Sequence, residues 1–165
     1  RQVRAVLGQQ ITVKAASTLA ARLVAVYGTQ VQTGIEGLTH SFPAPAAILA
    51  LGENISEHLG KLGIISARAN TIYQLARVLA DEKNDFGFCG NPEEEMQKLQ
   101  AIRGIGSWTA QYIAMRAMGW PDAFLPTDAG IKKALPDHTP KELQVLSEAW
   151  RPWRSYATVN LWNTL

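Results

Sequence analysis

Along most of this chain apolar residues recur at intervals of three and four, and hardly anywhere at intervals of two. That is the period of helices with one buried face, not of strands. Thr12 can cap a helix whose apolar stripe is Ala16, Leu19, Ala20, Leu23, Val26 and Tyr27, stopped by Gly28. Residues 28–44, rich in glycine and without a clear period, read as a loop. Short helices are expected over Pro45 to Leu51 and Ile55 to Leu59. A longer one, capped by Ser66, should run to Ala80 and bury Ile72, Leu75, Ala76 and Leu79. Charged residues and Phe86-Gly87-Phe88-Cys89-Gly90 make a second loop. Asn91-Pro92-Glu93-Glu94-Glu95 is a start signal: a cap, a proline in the first turn, then acids at the positive end of the helix dipole. That helix should end near Ala101, and another run from Ser107 to Met118, so the five residues between must turn back tightly. Trp120 to Asp128 reads as an extended loop with two prolines. Helices follow over Ala129 to Leu135, from the capping box at Thr139 to Trp150, and from Pro152 onward. The expectation is an all-α bundle of many helices, one domain over residues 1–165.

Composition narrows the classes without choosing a function. The apolar share of 47% suits a globular core. No stretch of about 18 apolar residues marks a membrane span. The formal charge is +2, from 16 Lys and Arg against 14 Asp and Glu, so no polybasic arm is available for nucleic acid. The single cysteine, Cys89, excludes an intramolecular disulfide framework and any four-cysteine cluster, and is compatible with a reducing cytosol. His40, His58 and His138 have no partner at ligand spacing, so no transition-metal site is assigned. The chain begins at Arg1 and stops at Leu165, each within an apolar segment, and carries no signal peptide; an excised fragment is expected.

The richest stretch is Leu99 to Gly106, followed by Ser107-Trp108-Thr109-Ala110. Glycines two apart let the backbone turn and bring N–H groups close to a ligand, and a helix starts immediately after, so the turn suits a DNA phosphate. The same residues also serve an ordinary helix–helix turn. Asp128 follows a proline-containing loop at a helix start: it is either an N-cap or a carboxylate aimed into a cleft. Trp108 and Tyr112 lie four apart, on one helix face. They can pack in the core or line a cleft where a flat, electron-poor ring would stack.

Gly104-Ile105-Gly106 between two helices, with Phe124-Leu125-Pro126-Thr127-Asp128 about twenty residues later, resembles the helix-hairpin-helix DNA-glycosylase superfamily. Val6-Leu7-Gly8-Gln9-Gln10, the Trp108 and Tyr112 pair, and the Trp150 to Tyr156 run with Trp162 further resemble the 3-methyladenine-DNA glycosylase II type, so the likeness covers nearly the whole chain. The resemblance implies an intracellular, cytoplasmic and nucleoid-associated monomer. It would excise alkylated or deaminated purines from double-stranded DNA, needing no cofactor. Asp128 would be the catalytic carboxylate. Trp108, Tyr112 and Trp162 would form the base pocket. Arg103, Gly104, Ile105, Gly106 and Thr109 would hold the DNA backbone, and Gln9 and Gln10 would wedge into the duplex, with Ile11 as a substitute. Carbonyls at Gln100, Ile102 and Ile105 would hold a structural monovalent cation. Relatives of this kind carry an N-terminal β-rich domain, which these 165 residues do not include.

Family members that also cut the strand place a Schiff-base lysine where Trp108 stands, so a monofunctional hydrolase is expected. Arg103 replaces a frequent proline, and Gln10 stands where some members have leucine. Two other readings stay open: a non-enzymatic module gripping DNA with the same hairpin, for which Asp128 and its aromatic neighbours are superfluous, and a helical interaction domain unrelated to DNA.

Overall fold

The computed structural model describes residues 2–81 and 91–165. The Phe86–Gly90 segment, with Cys89, lies outside the described residues. The chain divides into two compact units.

The first unit holds the described residues 2–81 together with Ile102–Gly104. Its elements are α1 (Gln2–Leu7), α2 (Val13–Tyr27), β1 (Thr29–Gln30), β2 (His40–Ser41), α3 (Pro45–Leu49), a 3₁₀ turn (Gly52–Asn54), α4 (Ile55–Gly60) and α5 (Ser66–Ala80). Thr12 starts α2 as expected, accepting the Ala15 N–H at 3.2 Å. Helix α5 is the centre: α1, α3 and α4 pack on it. It buries Ala69, Thr71, Ile72, Leu75 and Ala76, and the helices around it bury Val6, Leu7, Ile48, Ile55 and Leu59. Each large aliphatic side chain so buried stabilises the unit by about 1.5–3 kcal/mol.

Three expectations are corrected here. Helix α2 fully buries only Ala20 and Leu23 of its expected stripe; Ala16, Leu19 and Tyr27 are half-buried and Val26 is 56% exposed, because the helix packs chiefly on α1. Residues 28–44 are not wholly irregular: β1 and β2 form a short antiparallel ladder pairing Thr29 with Ser41 and Gln30 with His40. The N-cap of α5 is Ile65, in extended conformation, and Ser66 is already helical.

The second unit holds 91–101 and 105–165. It comprises α6 (Pro92–Gln100), α7 (Ser107–Arg116), α8 (Ala129–Ala134), α9 (Pro140–Ser147), a 3₁₀ turn (Glu148–Trp150) and α10 (Arg154–Trp162). Asn91 caps α6 by accepting the Glu93 N–H at 3.0 Å, and Thr139 and Glu142 form both arms of the capping box on α9. Helices α6 and α7 pack as a pair, as do α8 and α10. Phe124, Ile131 and Leu143 make a core that Leu135, Trp150 and Leu161 cover. Trp150 meets Phe124 edge-on at 5.7 Å. Pro152 does not open the last helix, which begins at Arg154 after the N-cap Trp153.

The loop before Asp128 is buried rather than extended on the surface, and its polar groups are answered one by one. Asp122 and Arg154 form a two-pronged ion pair at 2.7 and 2.9 Å, with both side chains buried. The Ser155 hydroxyl accepts the Ala123 N–H and donates to the Trp120 carbonyl at 2.7 Å. Gln111 of α7 accepts the Phe124 N–H at 3.2 Å. Buried backbone groups need such partners, and here they have them.

Candidate active site

Asp128 is the N-cap of α8, and it is more than a cap. Its Oδ1 accepts the N–H groups of Gly130 and Ile131 at 2.9 and 3.1 Å, the ordinary capping pattern. The same oxygen accepts the Trp162 indole N–H at 2.8 Å, and Oδ2 accepts the Trp108 indole N–H at 3.0 Å. The side chain is thus gripped from α7, α8 and α10 while the residue is only 9% exposed. Donors face both oxygens, so each oxygen acts as an acceptor. Three donors hold Oδ1 and one holds Oδ2, so Oδ2 has acceptor capacity left. The two sequence readings of Asp128 are therefore compatible: capping fixes Oδ1, and Oδ2 remains available for chemistry.

Trp108, Tyr112 and Trp162 are brought together around this carboxylate, each half-buried. Trp108 and Tyr112 stack on each other with centroids 5.1 Å apart and planes 19° from parallel, and Trp162 tilts toward Tyr112 at 6.3 Å. A base sandwiched between two rings needs them about 7 Å apart, twice a carbon contact. A sandwich between Trp108 and Tyr112 is therefore not what the structure presents. These rings form a continuous aromatic platform, with two indole N–H groups turned to Asp128.

The hairpin turn divides into a structural half and an open half. Gly104 sits at φ 94, and a Cβ there would run into the Thr71 side chain, so the fold itself demands glycine. Thr71 donates to the Arg103 carbonyl at 3.1 Å, and the Gln9 amide donates to the Gly104 carbonyl at 2.8 Å. Arg68 in turn donates to the Gln9 carbonyl at 2.8 Å. Gly106, the N-cap of α7, has φ −88 and nothing within 4 Å of an added Cβ. Neither backbone nor packing requires glycine there. No side chain caps the start of α7.

These contacts bear on the expected backbone and wedge positions. The Gln9 amide is engaged with the Gly104 carbonyl, while Gln10 beside it is exposed at the left-handed φ of 55. Thr109 is 3% exposed, withdrawn into the helix packing rather than offered to a phosphate. Ile105 is likewise buried, whereas Arg103, Gly104 and Gly106 are exposed. Sequence reasoning missed Thr71, Arg68, Ser155, the Asp122–Arg154 pair and Gly130. Of these only Gly130 left a local signal: a glycine within a helix's first turn, where nothing about capping calls for one.

Residues 3–154 match the model of the HhH-GPD superfamily, base excision DNA repair proteins. The chain is 43% identical over 168 residues to the probable bifunctional transcriptional activator/DNA repair enzyme AlkA of Mycobacterium tuberculosis, covering 99% of this chain and 32% of that protein. It is 36% identical over 162 residues to DNA-3-methyladenine glycosylase 2 of Escherichia coli, covering 98% of this chain and 56% of that protein. The chain thus spans about a third to a half of these relatives. The fold is that of a 3-methyladenine DNA-glycosylase from Archaeoglobus fulgidus, with a TM-score of 0.83 at 24% identity over 98% of this chain and 55% of that one. With the uncapped glycine turn ahead of α7 and the carboxylate on α8 both in place, the chain belongs to the HhH-GPD superfamily of base excision DNA repair proteins.

Proposed function

We propose that this chain is the catalytic part of a monofunctional DNA N-glycosylase that flips a damaged purine out of duplex DNA and hydrolyses its bond to deoxyribose. The observation that carries this reading is Asp128, held by two indole N–H groups and two backbone N–H groups on the rim of an aromatic platform. A helix cap needs only the backbone pair.

Cleavage of an N-glycosidic bond passes through an oxocarbenium-like state, and a fixed carboxylate opposes the charge that develops on the sugar. Oδ2, with one donor, is the oxygen placed to do this. The bonding pair leaves with the purine, water adds at C1′, and its proton passes to Asp128 or to solvent. The flipped base stacks on an outer face of this aromatic group, and a cationic alkylated purine gains cation–π attraction as well. Trp108 occupies the position of the lyases' amine, so water and not a lysine is the nucleophile.

Backbone grip comes from Gly104 and Gly106 with Arg103, and Gln10 fills the vacated stack. The likeness to a probable DNA repair enzyme and to a DNA-3-methyladenine glycosylase supports the same reading. The test is incubation of the chain with duplex DNA containing hypoxanthine or an alkylated purine, followed by quantitation of abasic sites. Release of the purine without strand cutting is the expected result, and DNA binding without release would leave only a binding module.

A further inference from the structure

We infer that Gly130 is a positioning residue of this site: its missing side chain is the space through which the Trp162 indole reaches Asp128. The inference rests on reading Asp128 as the catalytic carboxylate. Gly130 is the second residue of α8 and is not in the left-handed region, so its backbone does not call for glycine. Glycine is among the poorest residues in a helix and alanine the best. Something other than the helix must therefore account for it.

A Cβ placed on Gly130 would lie 2.6 Å from Cδ1 and 2.8 Å from Nε1 of Trp162, and 3.0 Å from Asp128 Oδ1. Carbon atoms in contact stand about 3.5–4.0 Å apart. About 1 Å must be yielded, and Oδ1 cannot yield it without giving up the Gly130 and Ile131 N–H groups that start α8. The indole is the part free to move. Its displacement breaks the 2.8 Å bond to Oδ1 and shifts the ring that tilts toward Tyr112. Asp128 would keep its cap and its Trp108 bond but lose the donor from α10. The single missing methyl group thus couples the carboxylate to the third wall of the aromatic platform.

Helix propensity and site geometry predict opposite signs for Gly130→Ala, which makes the idea testable. The full chain would be compared as wild type, Gly130→Ala, Trp162→Phe and the double variant, using ¹⁵N-indole spectra, thermal melts and single-turnover release of hypoxanthine from duplex DNA. Gly130→Ala should move the Trp162 indole N–H resonance upfield, leave Tm unchanged or raised, and slow release by about tenfold, the loss of one hydrogen bond to a charged group. Phenylalanine is smaller and lacks the N–H, so Gly130→Ala in the Trp162→Phe background should change the rate by less than about twofold, a non-additive pair. An unmoved indole resonance, a Tm loss as large as that of a core variant, or fully additive rate losses would each overturn the inference. Should the wild type release no purine while the resonance still shifts, the positioning would stand and the catalytic reading of Asp128 would fall.

Discussion

At Asp128 the observed cap and the proposed catalytic role share one side chain, and they separate by atom. Asp128→Asn keeps an oxygen for the Gly130 and Ile131 N–H groups but sets an amide NH₂ against the Trp108 indole N–H, donor facing donor. Leaving that buried donor unmatched should cost about 1–3 kcal/mol of stability, read by urea unfolding. Loss of the charge should slow purine release by about 10² to 10³, more for neutral hypoxanthine than for a cationic base that departs readily. Binding to abasic DNA should persist; hypoxanthine release at the wild-type rate would remove Asp128 from the chemistry. The two glycines of the turn make a second pair of opposites. Gly104→Ala must enter a left-handed conformation and meet Thr71, so it should lose at least about 1–2 kcal/mol of stability. Gly106→Ala should stay folded, at about 1 kcal/mol or less, and instead weaken affinity for abasic duplex, because only a ligand needs that space. Equal affinity of folded Gly106→Ala and wild type would acquit the start of α7 as the grip.

The elements are held at their ends by short-range chemistry and in place by a few long-range bonds. Helix α9 shows the first kind: Thr139→Ala removes one arm of its capping box and should cost about 1 kcal/mol. Glu142 is held below the ordinary carboxylate value, chiefly by the Thr139 backbone N–H. A group lowered on folding stabilises above its unfolded pKa, and that share is lost as pH falls through the folded one. The melting difference between wild type and Glu142→Gln, which removes the charge that this N–H favours, should therefore narrow as pH falls below the usual glutamate range. Arg154 shows the second kind. Its guanidinium ties α10 to the loop that leads into Asp128, and Arg154→Met would strand the buried Asp122 carboxylate. A loss of about 3–5 kcal/mol is expected, lessened by Arg151, which stands 3.5 Å from the same carboxylate. Urea midpoints settle it; a change under 1 kcal/mol would mean the loop is held by Ser155 and Gln111 instead.

At the scale of the whole chain the net charge of +2 says little, since attraction to DNA depends on where the cations lie. Phosphate gripping by the hairpin has a bulk signature all the same. The logarithm of the binding constant for abasic duplex should fall linearly with the logarithm of salt concentration, by about 0.9 for each phosphate neutralised, and should hardly depend on flanking sequence. Salt-insensitive binding would argue against this grip. No helix among the described residues is long and apolar enough to cross a membrane.

The all-helical class, most helix starts, the turn at Gly104 to Gly106 and the capping position of Asp128 were legible in the residues alone. All are local: a cap, a proline in a first turn, a 3.6-residue period and a glycine pair act on neighbours a few positions away. What the chain could not disclose is which distant groups meet. Gln9 is 95 residues from the carbonyl it binds, and nothing near it in the sequence points to that partner. Trp108 and Tyr112 share a helix face, but only the packed structure stacks the rings on one another. Trp162, 34 residues on, reaches Asp128 only because Gly130 leaves room. Periodicity tells which side of a helix is buried; the choice of partner, and with it the geometry of the site, belongs to tertiary packing.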